Sequence, residues 1–169
     1  TTKSVSGAGP PAFVFTFASA PTAHAWSSAS NYAVADKALQ YVGRYGSAAC
    51  VDAGFSGYTG GRPLGNGDNV DGECRSFVNC VLKMVTGTNV AYGLDDYQRA
   101  FREQGGQPIG LTGGMRGDVI QVGNGEHTAI VLTNLGNATY QVVDSNFVSS
   151  HIVGIHNYTV PGYGQIWRM

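Results

Sequence analysis

The sequence predicts an α+β domain with N-terminal helices packed on a C-terminal antiparallel β-sheet. Three observations carry this expectation. At 169 residues and 43% hydrophobic, the chain has the length of one domain and enough apolar surface to bury a core without metal or disulfide support. Between residues 30 and 105, apolar side chains recur at helical spacing. After Gly117 the period changes, and short segments rich in Val, Ile, Thr and Tyr alternate with glycine and asparagine turns. Helices followed by a run of strands is the α+β pattern.

Taken in order, residues 1–26 have two readings. Pro10 to Ala25 ends in the small-x-small triplet Ala23-His24-Ala25 after a short apolar run, which resembles the end of a secretory leader. The alternative is an N-terminal arm that packs Val14, Phe15 and Phe17 on the domain. The run is far shorter than the roughly twenty residues of a membrane-spanning helix, so no integral membrane segment is expected. Export is, and the chain reads as secreted or extracytoplasmic. The domain itself is expected over residues 27–169.

Ser30 or Asn31 can cap a first helix over about Tyr32 to Tyr45, closed by Gly46. The glycine-rich stretch from residue 46 to 72 reads as a long irregular loop, of a length that in compact domains is usually functional. A second helix is expected over Glu73 to Val85 and a third over Leu94 to Glu103. Five strands follow: Asp118–Val122, His127–Thr133, Thr139–Asp144, His151–Asn157 and Gln165–Met169.

Composition excludes several function classes. Charged residues are 12% of the chain, about half the usual share, and ten basic residues stand against eleven acidic ones. No charge field is available to hold nucleic acid or an anionic membrane. Glycine is abundant, 25 of 169 residues, but follows no fixed period, which excludes collagen and solenoid repeats.

The cysteines Cys50, Cys74 and Cys80 form neither a zinc quartet nor a Cys-x-x-Cys pair, and no metal is assigned to them. In the second helix, Phe77, Val78, Val81, Leu82 and Val85 form one apolar stripe. Cys74 begins that stripe in the first helical turn, where free backbone N–H groups and the helix dipole favour a thiolate. Cys80 is turned from Cys74 by about 240°, so these two thiols cannot meet within a regular helix. Cys50 can reach the Cys80 flank, and that disulfide leaves Cys74 free; three free thiols are the other reading.

A nucleophilic cysteine needs an imidazole to take its proton and a polar group to orient that imidazole. His127 opens one strand, and Asp144 and Asn146 close the next. If Gly136-Asn137 is a type II′ hairpin turn, His127 lies opposite Asn146 and Ala129 opposite Asp144, with all four side chains on one sheet face. Asn146 is then the direct neighbour of the imidazole and Asp144 the diagonal one. His24, His151 and His156 have no comparable partners and are read as surface or structural, although His151 and His156 together also offer two imidazoles to a metal.

These residues resemble a known family. Gly72-Glu73-Cys74-Arg75-Ser76-Phe77-Val78 is similar to the Gly-x-Cys-x-x-aromatic-Val segment of the CHAP family, the cysteine, histidine-dependent amidohydrolases and peptidases that cut bacterial peptidoglycan. Arg116-Gly117-Asp118-Val119-Ile120 resembles the Gly-Asp-aliphatic strand that precedes that family's histidine, and His127-Thr128-Ala129-Ile130-Val131 its histidine strand. Asp144-Ser145-Asn146-Phe147 is similar to the Glu-x-Asn-aromatic segment, and Ile166-Trp167-Arg168 to the closing strand. Together the motifs span about residues 30 to 169. The chain departs from the pattern in having Asp144 where the family commonly has Glu, and in the long glycine-rich stretch before Cys74.

The resemblance implies a papain-like domain that hydrolyses peptidoglycan amide bonds, as an N-acetylmuramoyl-L-alanine amidase or a peptide endopeptidase, through a Cys74 thioester. His127 would be the base, Asp144 or Asn146 its orienting group, and the Cys74 N–H, with Asn69 as a second candidate, the oxyanion donor. No cofactor is required, and the partner is the peptidoglycan or peptide substrate. Two other readings stay open: a cysteine peptidase or acyltransferase on non-wall substrates, and a non-catalytic wall-binding module in which the Gly46–Gly72 stretch docks a partner.

Overall fold

The computed structural model describes residues 28–55, 72–87, 101–102, 105–123 and 125–169. In this region three helices, α1 (Ser28–Leu39), α2 (Gly46–Asp52) and α3 (Cys74–Thr86), precede six strands. These are β1 (Gln107–Ile109), β2 (Val119–Val122), β3 (His127–Gly136), β4 (Thr139–Ser149), β5 (Ile152–Thr159) and β6 (Gln165–Arg168). The strands form one antiparallel sheet in the order β1-β6-β2-β3-β4-β5. The expected α+β organisation is therefore present, and none of the described helices is long and apolar enough to cross a membrane.

Alternation along the strands builds two cores, one on each sheet face. On one face, Val119, Ile130, Leu132, Val143, Val153 and Trp167 meet Val34, Ala35 and Ala38 of α1 and Phe77, Val78, Val81 and Leu82 of α3. Their neighbours in sequence, Ile120, Val122, Ala129, Val131, Val142 and Ile166, point the other way and gather around Tyr140. The apolar stripe read from the sequence of α3 is thus the face that seats this helix on the sheet. Seating it there fixes where Cys74, its first residue, can lie.

Four expectations need correction. The glycine-rich stretch is not irregular from its start, because Gly46–Asp52 is α2. Its Ala49 and Cys50 are fully buried, and Gly46 must be glycine because a Cβ there would run into the Ser145 side chain. The first helix ends at Leu39 rather than Tyr45, and Gly43, at φ +82°, makes the turn that Gly46 was expected to make. Strand β1 was not anticipated, since three residues that include Pro108 carry no alternation to detect. Finally, the β3–β4 turn is Asn137-Ala138, both at positive φ as a type I′ turn requires, not Gly136-Asn137. Two bulges then shift the pairing, so that Ile130 faces Val143 and Val131 faces Val142, the register the expected turn would also have produced. Of the expected third helix, only Phe101 and Arg102 lie among the described residues, and both are helical. Residues 1–26, including His24, and Asn69 lie outside them.

The Gly-Asp pair before β2 has a structural task. Gly117, at φ +88°, passes so close to the Asn31 backbone that no Cβ fits. The buried Asp118 carboxylate accepts hydrogen bonds from Asn31 Nδ2 (2.6 Å), the Met115 N–H (2.7 Å) and Arg168 Nη2 (2.8 Å). One carboxylate thereby ties α1, the entry to β2 and the end of β6 together.

Candidate active site

Cys74 opens α3, with Glu73 in extended conformation at the N-cap. Its backbone N–H belongs to the first turn and has no acceptor within the helix. Cys50 and Cys80 are joined in a disulfide, and Cys74 is the free thiol among the described cysteines, partly exposed. The helical angle between positions 74 and 80 is what separates these fates: Cys80 points into the core toward α2, and Cys74 does not.

Opposite the thiol stands His127, at the start of β3. Its Nε2 lies 2.7 Å from Oδ2 of Asp144, which is fully buried. The Cys74 side chain is in hydrogen-bonding reach of the same ring, and with Nε2 committed to Asp144, Nδ1 is the nitrogen left for sulfur. Burial works against charge on His127, but hydrogen bonds to Asp144 and then to Cys74, with the negative charge of both groups, hold its pKa up at about 9. The imidazole is thus held as a cation across neutral pH, between a carboxylate and a thiol.

Its backbone is fixed from behind. Gln121, buried on β2, donates its amide to the His127 carbonyl (3.3 Å) and the Gly123 carbonyl (2.9 Å), and accepts from Thr128 Oγ1 (2.6 Å). Gln121 and Thr128 are opposed across the β2–β3 ladder. This pair was not singled out in the sequence, where a lone Gln and Thr in strands carry no signal.

Asn146 does not take the place the hairpin register assigned to it. A bulge lies between Ser145 and Ser149, and Asn146 sits in it at φ +65°, which turns its side chain off the sheet face. Its amide donates to Glu73 Oε2 (2.8 Å), and its Oδ1 accepts from the His151 N–H (2.8 Å). Next to it, the buried Ser145 hydroxyl donates to the Gly72 carbonyl at 2.5 Å. Asn146 and Ser145 therefore pin the two residues that lead into Cys74, while Asp144 orients His127.

His156 also departs from expectation. Rather than standing apart, it places Nε2 2.7 Å from the same Asp144 Oδ2 that receives His127. Phe147 stacks flat on its ring (centroids 3.9 Å apart), and Tyr158 packs against His127 at 4.8 Å. The sequence could not show this, because it depends on the β4–β5 register that sets Val142 opposite His156. His151 is partly exposed and lies 3.5 Å from Glu73 Oε1, and it is not in the donor group that contains His156. Among the described residues, His127, Asp144 and His156 are the group whose donor atoms, all within 4.8 Å of one another, could hold a metal ion.

No protein-family model matches the chain, and no curated protein does. Two solved structures align with part of the chain. The crystal structure of Ly7917 aligns with a TM-score of 0.46 at 13% identity, covering 81% of this chain and 61% of that one. The crystal structure of Ly7917 with the hydrolyzing product of MDP aligns with a TM-score of 0.43 at 14% identity, over 81% and 62%. The chain thus spans about three fifths of the length of these proteins, and a likeness at this level assigns no function.

Proposed function

We propose that this chain is a secreted, papain-like cysteine hydrolase of the CHAP type that cleaves amide bonds in peptidoglycan. The observation that carries the reading is His127 held between the buried Asp144 carboxylate and the free thiol of Cys74. A cationic imidazole beside a thiol at a helix N-terminus is the arrangement that keeps sulfur as a thiolate. The substrate class rests on the motifs around Cys74, His127 and Asp144, and export on the disulfide, which forms and persists in oxidising compartments.

In this mechanism Cys74 Sγ attacks the amide carbonyl carbon. The oxyanion that develops is met by the Cys74 backbone N–H, a single donor of this kind being worth about 3 kcal/mol. His127 gives its Nδ1 proton to the leaving amine as the C–N bond breaks, and the acyl group remains on sulfur as a thioester. Water enters, His127 Nδ1 takes its proton, hydroxide adds to the thioester, and the acid leaves with the thiolate restored. Asp144 keeps Nε2 protonated throughout, so that Nδ1 always faces sulfur.

The test is mass spectrometry of muropeptides from purified walls digested by the chain and by Cys74→Ala. New amine and carboxyl ends, absent from the Cys74→Ala digest, are the expected result and identify the bond. Lysis that survives in Cys74→Ala ends the reading.

A further inference from the structure

We infer that His127, Asp144 and His156 form a Zn²⁺ site that switches the hydrolase off. His156 bridges two hydrogen-bond acceptors. Its Nδ1 is 3.1 Å from the Asn157 carbonyl oxygen, and its Nε2 is 2.7 Å from Asp144 Oδ2. Both partners accept hydrogen bonds, yet a neutral imidazole carries one N–H. With Nδ1 donating to the carbonyl, the Nε2 lone pair faces a carboxylate oxygen at hydrogen-bond distance, a contact that is satisfied by a second ring proton or by a cation that draws both atoms into its own coordination sphere.

The surroundings suit a cation. His127 Nε2 converges on the same Oδ2 at 2.7 Å. The other oxygen, Asp144 Oδ1, is buried and has no hydrogen-bond partner among the described residues, a costly state that metal coordination relieves. Two imidazoles and one carboxylate with a position open for water are a recurrent Zn²⁺ donor set. The His156 Nδ1–H to carbonyl contact is the outer hydrogen bond that metal-bound histidines usually make, and Phe147 flat on His156 supplies an apolar wall.

Occupancy would release the His127 Nε2 proton to solvent and engage Nε2 and the Asp144 carboxylate with the metal, which removes the Nε2–H to Asp144 hydrogen bond on which the imidazolium beside Cys74 depends. That consequence rests on the hydrolase reading; the binding site does not. Cys74 is not among the three donor groups, which separates this site from capture of zinc by a reactive cysteine.

The experiment is calorimetric titration of the full chain with zinc chloride, for the wild type, Cys74→Ser, His156→Gln and His151→Gln, with folding checked by circular dichroism. One Zn²⁺ should bind per chain, with affinity kept in Cys74→Ser and His151→Gln and weakened about tenfold or more in His156→Gln. Cobalt in place of zinc should give visible d–d absorption without a sulfur-to-metal charge-transfer band, a readout that serves if His156→Gln unfolds. Affinity unchanged in His156→Gln, or lost in Cys74→Ser or His151→Gln, overturns the site. In wall digestion, Zn²⁺ should inhibit the wild type and a chelator should restore it. A chain that needs Zn²⁺ for hydrolysis would overturn the inhibitory role and the cysteine mechanism together, while leaving the binding data to decide the site.

Discussion

Oδ2 of Asp144 stands 2.7 Å from Nε2 of His127, and this contact, not one from Asn146, orients the ring. Asp144→Asn removes the charge that balances the imidazolium and should lower kcat by about 10²- to 10⁴-fold. Asn146→Ala loses the bond to Glu73 and puts a Cβ-bearing residue at φ +65° without the side chain that tolerates it. It should cost about 1 to 2 kcal/mol of stability and reduce kcat less than about tenfold. Steady-state kinetics and denaturant titration on the two variants check this. An Asn146→Ala enzyme that is folded and slower than Asp144→Asn reverses the assignment.

The reason the sequence ranked these two residues the other way is local. Hairpin register was legible, since β-branched alternation fixes which residues face the core and two bulges compensate for the shifted turn. The bulge beyond Ser145 was not legible, because no glycine or proline marks it and Asn146 adopts the left-handed conformation itself. The helix stripe Phe77 to Val85 and the angle to Cys80 were legible because they follow from helical periodicity alone. The shared carboxylate of His127 and His156 depends on a third strand, whose pairing no local pattern encodes. Helix α2 escaped notice because its seven residues, of which only Ala48, Ala49, Cys50 and Val51 are apolar, are too few to show a helical period.

Thiol chemistry should follow the same geometry. In the native protein, iodoacetamide should modify Cys74 alone, and Cys50 and Cys80 should become reactive after reduction and unfolding. Peptide mapping by mass spectrometry reads this directly, and Cys74 found in a native disulfide would contradict it. Replacing both Cys50 and Cys80 by Ala should lower unfolding free energy by about 3 to 4 kcal/mol, the chain-entropy value for a loop of 30 residues, and leave wall digestion at ambient temperature in place.

Asp118 tests the claim that the Gly-Asp motif is structural. Asp118→Ala would leave the Arg168 guanidinium, the Asn31 amide and the Met115 N–H without their shared acceptor in a buried place. Loss of one partner of such a pair typically costs about 3 to 5 kcal/mol. With Arg168 partly exposed, the lower end is expected, as a fall in urea midpoint with unchanged slope. An Asp118→Ala protein of wild-type stability would show that the Gly-Asp motif does not hold α1, β2 and β6 together.

His127 couples both stability and activity to pH. His127 has its folded pKa raised from 6.5 to about 9. A group raised on folding stabilises the native state fully below its unfolded pKa, and that contribution is lost as pH rises through the folded value. The native state should therefore lose about 3 kcal/mol between pH 6.5 and pH 10 through this residue. In His127→Gln that part of the loss should be absent, as seen by urea unfolding at both pH values. Activity should follow the same proton, because an imidazole that has lost it can neither hold the thiolate nor protonate the leaving amine. The alkaline limb of kcat/KM is then expected at about pH 9. Since the Asp144 hydrogen bond and charge both raise the His127 pKa, the Asp144→Asn limb must move to lower pH. A limb that stays in place in Asp144→Asn, or a His127→Gln protein that loses stability with pH as the wild type does, would show that the Asp144–His127 pair does not govern the proton on which the mechanism depends.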